Sequence, residues 1–125
     1  MRSVRAINCT RNVVLAERAA VADSFRRRGW GLLGRSSLQP GEGMVITETN
    51  CIHSMFMRFP FDAVYLRADG VACRVLAELP PFRCGPLIWR AKHVLELPAG
   101  TIARTGTVLG DVIVFQPAAG VAQPR

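Results

Sequence analysis

Short stretches in which apolar and polar positions alternate, each closed by Gly, Pro or Asn, recur along most of the chain. A period of two places successive side chains on opposite faces of a strand. Residues 3–16 read as two short strands around a turn at residues 8–12, with Val4, Val13 and Val14 suited to a pleated surface. Residues 43–49 and 52–57 read as further strands. The clearest hairpin spans residues 61–78: Phe61, Ala63 and Tyr65 alternate with Asp62, Val64 and Leu66, and Ala68-Asp69-Gly70 turns the chain back. A Pro- and Gly-rich connection over residues 79–89 leads to a strand at 92–97, a helical turn or loop at 99–105, and a last strand at 111–115.

One segment departs from this period. Val21, Phe25, Gly29 and Leu32 fall on one face of a helix, with Asp23, Arg26 and Arg27 opposite. Arg26-Arg27-Arg28 would complement the negative end of the helix dipole, and Gly29 would cap it. The expected fold is therefore mainly β with one short helix near residues 17–28, a compact single-domain β-sandwich or partly open barrel. Residues 1–116 would form this domain, and residues 117–125, rich in Ala, Gly and Pro, a loosely held tail.

Composition narrows the class. Half of the 125 residues are hydrophobic and 20% are charged, which excludes intrinsic disorder. The 11 Gly and 8 Pro argue against a long helical bundle, and no apolar run reaches the roughly 18 residues of a membrane span. The net charge of +7 is concentrated at the start, where residues 1–35 hold eight Arg against Glu17 and Asp23. That third would attract anions or an acidic protein surface. Lys92 is the only lysine, an Arg bias that a GC-rich genome accounts for. The first residues lack a secretory core, so a cytoplasmic location is expected. Cys9, Cys51, Cys73 and Cys84 form no CxxC pair and are expected to be reduced, mostly packed thiols.

Three carboxylates stand in apolar surroundings: Asp62 and Glu96 inside strands, and Asp111 at the start of the last strand after Gly110. A buried ionised carboxylate must find donors or reach water. Each could face solvent or clamp loop amides. Alternatively, Asp62 and Glu96 could converge with His53 as acid and base. His53 could also be a metal ligand with Cys51 or His93, but Cys51-x-His53 is a single close pair, and no metal or cofactor is expected. No GxSxG elbow is present, and Gly29-Trp30-Gly31-Leu32-Leu33-Gly34 lacks the features of a phosphate loop. With 7% aromatic residues and no reader motif, nucleic acid is a disfavoured partner.

Taken in order, Gly31-Leu32-Leu33-Gly34-Arg35, Gly41-Glu42-Gly43-Met44, the run from Ile52 through Asp62, Val94-Leu95-Glu96-Leu97-Pro98-Ala99-Gly100 and Gly110-Asp111 resemble consecutive blocks of the family known as domain of unknown function 192. The resemblance covers roughly residues 10–116 and implies a small β-rich domain without an established activity. In the commoner form of the family a Trp-Met-Lys-Asn-Thr run precedes a Pro-Leu-Asp element, which puts Trp at the position of His53 and Thr at that of Met57. His53 is then a pocket-wall or branch-specific residue rather than an obligatory base. Asp62, Glu96, Asp111, Arg35 and the Gly43-Met44 pair match the family pattern. Many relatives also carry an export signal, which this chain does not show.

The reading that follows is a non-catalytic domain that binds a small ligand or a partner. Its pocket would lie near residues 53–62, with Arg35 and Arg58 as donors to an anionic or polar ligand. Met44, His53 and Met57 would line it beside Asp62 and Glu96, while Gly34, Gly43, Gly110 and Asp111 would shape the scaffold. The alternative is a small hydrolase-like enzyme that uses Asp62 or Glu96 with His53 as acid and base. A third reading docks the basic N-terminal third on an acidic surface.

Overall fold

The computed structural model describes residues 2–22, 37–52, 54 and 57–118. Seven strands are present: β1 Ser3–Asn8, β2 Val13–Ala22, β3 Glu42–Ile46, β4 Phe61–Leu66, β5 Ala72–Leu79, β6 His93–Pro98 and β7 Ile113–Pro117. They form one sheet in the order β5-β4-β6-β3-β2-β1-β7. Every neighbouring pair is antiparallel except β2 and β3, which run parallel. A single short helix, α1 at Thr101–Thr105, lies among the described residues and packs against β2 and β5.

The sheet curls into a half-barrel whose edge strands meet at one end. Val71 bridges Val112, Ala72 N–H donates to the Asp111 carbonyl at 2.8 Å, and Ile113 N–H donates to the Gly70 carbonyl at 2.9 Å. Such ties remove part of the exposed edge that an open sheet would leave. Leu15, Val45, Val64, Leu66, Leu95, Leu97 and Ile113 fill the inside of the curl. Ala22, Met44, Ile46, Phe61, Ala63, Tyr65 and Val94 form a second buried cluster on its outer face, together with Ile52, Met57 and Ala91 from the connections. The central strands are thus covered on both sides, and all six residues of β4 are buried.

The mainly β class with one short helix and a partly open barrel stands, but the first half of the segment expected to be helical is strand, and the helix among the described residues is α1. Residues 17–22 are the second half of β2, and residues 23–28 lie outside the described residues, as do Gly34 and Arg35. The physical reason lies in the pairing. β2 gains ladder bonds from β1 and β3 at once, and that pairing outweighs local helix preference. The strand expected at residues 52–57 is also absent among its described residues. Ser54 instead fastens one connection to another. Its N–H donates to the Arg83 carbonyl at 2.7 Å, its Oγ accepts from Arg83 N–H at 2.8 Å, and its hydroxyl donates to the Pro80 carbonyl.

Gly70 makes the barrel tie geometrically demanding. Its φ is +87°, and a Cβ there would lie 2.5 Å from the Ile113 carbonyl oxygen that faces the tie. Gly70→Ala should therefore cost about 1–3 kcal/mol. Urea denaturation measures it, and a change below about 0.5 kcal/mol would show that the tie tolerates a side chain.

Candidate functional site

The three carboxylates singled out in the sequence meet different fates: strand parity separates Asp62 from Glu96, while Asp111 lies before β7, which starts at Ile113, rather than at its start. Asp62 points to the inside of the curl and is fully buried. Its Oδ1 accepts from Glu78 N–H at 2.7 Å and its Oδ2 from Ile102 N–H at 2.8 Å. Between Phe61 and Ala63 the register of β5 slips by one residue, and Glu78 there has a φ of +55°. A bulge of this kind leaves an amide without a ladder partner, and Asp62 takes it. The second amide belongs to the first turn of α1, where N–H groups lack intrahelical acceptors. Asp62 thus joins strand, bulge and helix.

Asp111 is tied up at the closed end of the barrel. Its Oδ2 accepts from Arg11 Nε at 2.7 Å, Asn8 Nδ2 at 2.9 Å and Val108 N–H at 3.1 Å. Burial pushes this carboxyl up, but the bonds from Asn8, Val108 and Arg11, with the Arg11 charge, together outweigh burial and hold it below the usual range. Asn8 Nδ2 also donates to Thr107 Oγ1 at 3.1 Å, which extends the network beside Gly110.

Glu96 has no such partners. It lies on the outer face of β6, in register between Met44 of β3 and Ala63 of β4. The side chain is 3% exposed, and its Oε1 is the only buried side-chain polar atom among the described residues without a hydrogen bond. Burial alone raises its pKa from 4.5 to about 8. Tyr65, on the same face of β4, is raised to about 12, chiefly by burial, and its hydroxyl donates to the Pro86 carbonyl at 2.8 Å. Gly43 allows the close approach of β3, since a Cβ there would lie 2.9 Å from the Glu96 carbonyl oxygen.

The structure therefore brings Met44, Met57 and Glu96 into the outer cluster and places Asp62 across the sheet from Glu96. Arg58 is exposed, and His53 and Arg35 lie outside the described residues. His93 shares the inward parity of Leu95 and Leu97, and its Nδ1 accepts from Glu48 N–H at 3.3 Å. Burial, and then the Lys92 charge, lower its pKa against the opposing pull of Glu48. The cysteines are free thiols but not mostly packed: Cys9, Cys51 and Cys84 are exposed, and Cys73 is half-buried. Each exposed thiol sits in a turn or connection rather than in the sheet, which is where packing would have covered it. Among the described residues no three His, Cys, Asp or Glu side chains are grouped to hold a metal ion. Sequence reasoning passed over Tyr65. Its even spacing from Ala63 put the two on one face, but only the register with β6 adds Glu96 to that face.

Asp62→Ala should strand two buried amides and destabilise the fold by about 1–3 kcal/mol for each. Asp62→Asn, which keeps one acceptor, should cost less. Thermal and urea unfolding decide the matter, and a neutral Asp62→Ala would remove Asp62 as the link between bulge and helix.

No helix among the described residues is long and apolar enough to cross a membrane. A search of curated proteins finds no match. Among solved structures, a protein of unknown function from Novosphingobium aromaticivorans DSM 12444 is 22% identical, with a TM-score of 0.77 over 90% of this chain and 83% of that one. A protein from Sinorhizobium meliloti 1021, provisionally described as a transcription regulator, is 23% identical, with a TM-score of 0.74 over 91% of this chain and 92% of that one. At such identity the likeness establishes the shared half-barrel fold. The sequence model of an uncharacterised family, described as an uncharacterised ACR, matches residues 6–115, so the chain belongs to the domain of unknown function 192 family.

Proposed function

We propose that this domain is a non-catalytic binding module that takes a small polar or anionic ligand on the outer face of its sheet, with the Glu96 carboxyl as the recognising group. The observation that carries this reading is the buried Oε1 of Glu96, which accepts no hydrogen bond, whereas both oxygens of Asp62 and the Oδ2 of Asp111 have donors. An unmade buried bond is costly, and a ligand that makes it recovers that cost. Below a pH of about 8 the carboxyl keeps its proton. A protonated carboxyl both donates and accepts, so it can pair with a carboxylate or an amide without like-charge repulsion.

The surroundings fit a ligand with an apolar body. Met44 and Ala63 flank Glu96 in the sheet, and Met57 belongs to the same cluster. Arg58, exposed beside Met57, supplies a cation in the same segment. Arg35 and His53 belong to the proposal through the sequence pattern, and Arg35→Ala tests the former. An acid that titrates near neutrality also suits proton transfer. Yet Asp62 lies on the other face with both oxygens engaged, so Asp62 and Glu96 do not work together as an acid and base pair. This weighs against a hydrolytic site built on the two carboxyls together, while the pairing of either with His53 lies outside the described residues.

Amide-detected NMR with butyrate, benzoate and their amides as probes tests the reading. The expected result is shift changes at Met44, Ala63 and Glu96 that vanish in Glu96→Leu. Affinity for the carboxylates should hold below a pH of about 8 and fall above it by about tenfold per unit, as Glu96 ionises and repels them. Shift changes confined to other parts of the sheet, or unchanged in Glu96→Leu, would overturn it.

A further inference from the structure

The connection between β5 and β6 carries a surface of a different character. Residues 79–95 contain Arg83, Arg90 and Lys92 and not one Asp or Glu. Within this segment Trp89 is 85% exposed and Leu87 50%. Exposed side chains of this size are ordinary on a loose loop, but this one is held in place. Ile88 N–H donates to the Asn50 carbonyl at 2.9 Å, and Ala91 N–H donates to the Ile88 carbonyl at 2.9 Å, closing a turn with Trp89 and Arg90 at its tip. On the far side, Lys92 N–H donates to the Leu66 carbonyl at 2.7 Å, and Thr49 N–H donates to the Lys92 carbonyl at 2.9 Å. Ile88 packs against the outer cluster and Ala91 is buried within it, so the turn is pinned from below while Trp89 faces water.

We infer that this turn docks the protein on an anionic lipid surface, with Trp89 and Leu87 entering the headgroup region and Arg83, Arg90 and Lys92 facing the lipid phosphates. The sign of the charge supplies the first argument: an arm with three cations and no anion complements a negative surface. Shape and chemistry supply the second. A turn tip projects rather than receives, and a Trp with an adjacent aliphatic side chain and flanking basic residues is the composition that membrane interfaces select. Stacking on nucleic-acid bases would gain nothing from Leu87. The docking is independent of the ligand at Glu96 and does not require it.

The test uses the full chain with Trp30→Phe, which leaves Trp89 as the only tryptophan. Vesicles of phosphatidylcholine alone are compared with vesicles that also contain phosphatidylglycerol, by emission wavelength and co-sedimentation. The expected result is a blue shift and sedimentation with the anionic vesicles only, lost at about 0.5 M salt, where charges are screened within a few ångströms. In the protein that retains Trp30, Trp89→Ala should weaken sedimentation by about tenfold or more, and Arg90→Glu with Lys92→Glu should abolish it. Both sites are exposed, so circular dichroism should be unchanged. No blue shift with anionic vesicles would overturn the inference. So would sedimentation unaffected by Trp89→Ala, which would mean attraction by net charge alone. A blue shift with polyglutamate but not with vesicles would also overturn it and would assign the surface to an acidic protein.

Discussion

Burial of the central strands on both faces governs the rest of this structure. A strand with one wet face can place a carboxylate there at little cost. In β4 and β6 no such face exists, because the inside of the curl fills one side and the β3–β4 and β5–β6 connections cover the other. Any polar side chain in these strands must then find its partners within the protein or keep its proton. Asp62 takes the first course and Glu96 the second. One strand pair thus holds one carboxyl group with two amide donors and one without a donor on its Oε1, with the sheet between them.

The same constraint explains what could be read from the sequence. The hairpin of β4 and β5, the pair β1 and β2 around their turn, and the last two strands were visible because alternation and turn residues mark them locally. The second half of β2 was not, since Val21 suits a helical face and a strand face equally, and only the partners β1 and β3 decide between them. For the site, the unusual positions of Asp62, Glu96 and Asp111 were legible as polar breaks in apolar runs. Their separation was not. It depends on register: Asp62 pairs with Leu97 and Ala63 with Glu96, a relation between distant segments that neither segment states alone. The donors that saturate Asp62 come from a bulge and a helix start, both products of the tertiary structure.

Membership of an uncharacterised family and likeness to two solved structures fix the fold and leave the chemistry to the residues. Those residues divide the molecule into parts with separate tasks. The closed end, with Asn8, Arg11, Thr107 and Asp111, is a hydrogen-bonded fastening. The face around Glu96 holds the one buried side-chain polar atom among the described residues that the fold itself does not satisfy. The turn at Trp89 presents apolar and basic groups outward on a hydrogen-bonded frame.

The central claim is that Glu96 is held neutral and unpartnered inside the outer cluster. The direct measurement is the side-chain carboxyl carbon shift of Glu96 followed by NMR against pH, assigned by its loss in Glu96→Gln. The account predicts a midpoint near 8, because burial without a donor disfavours the ionised form. A midpoint at the ordinary glutamate value of about 4.3 would mean that the carboxyl reaches water or a donor, and would contradict it.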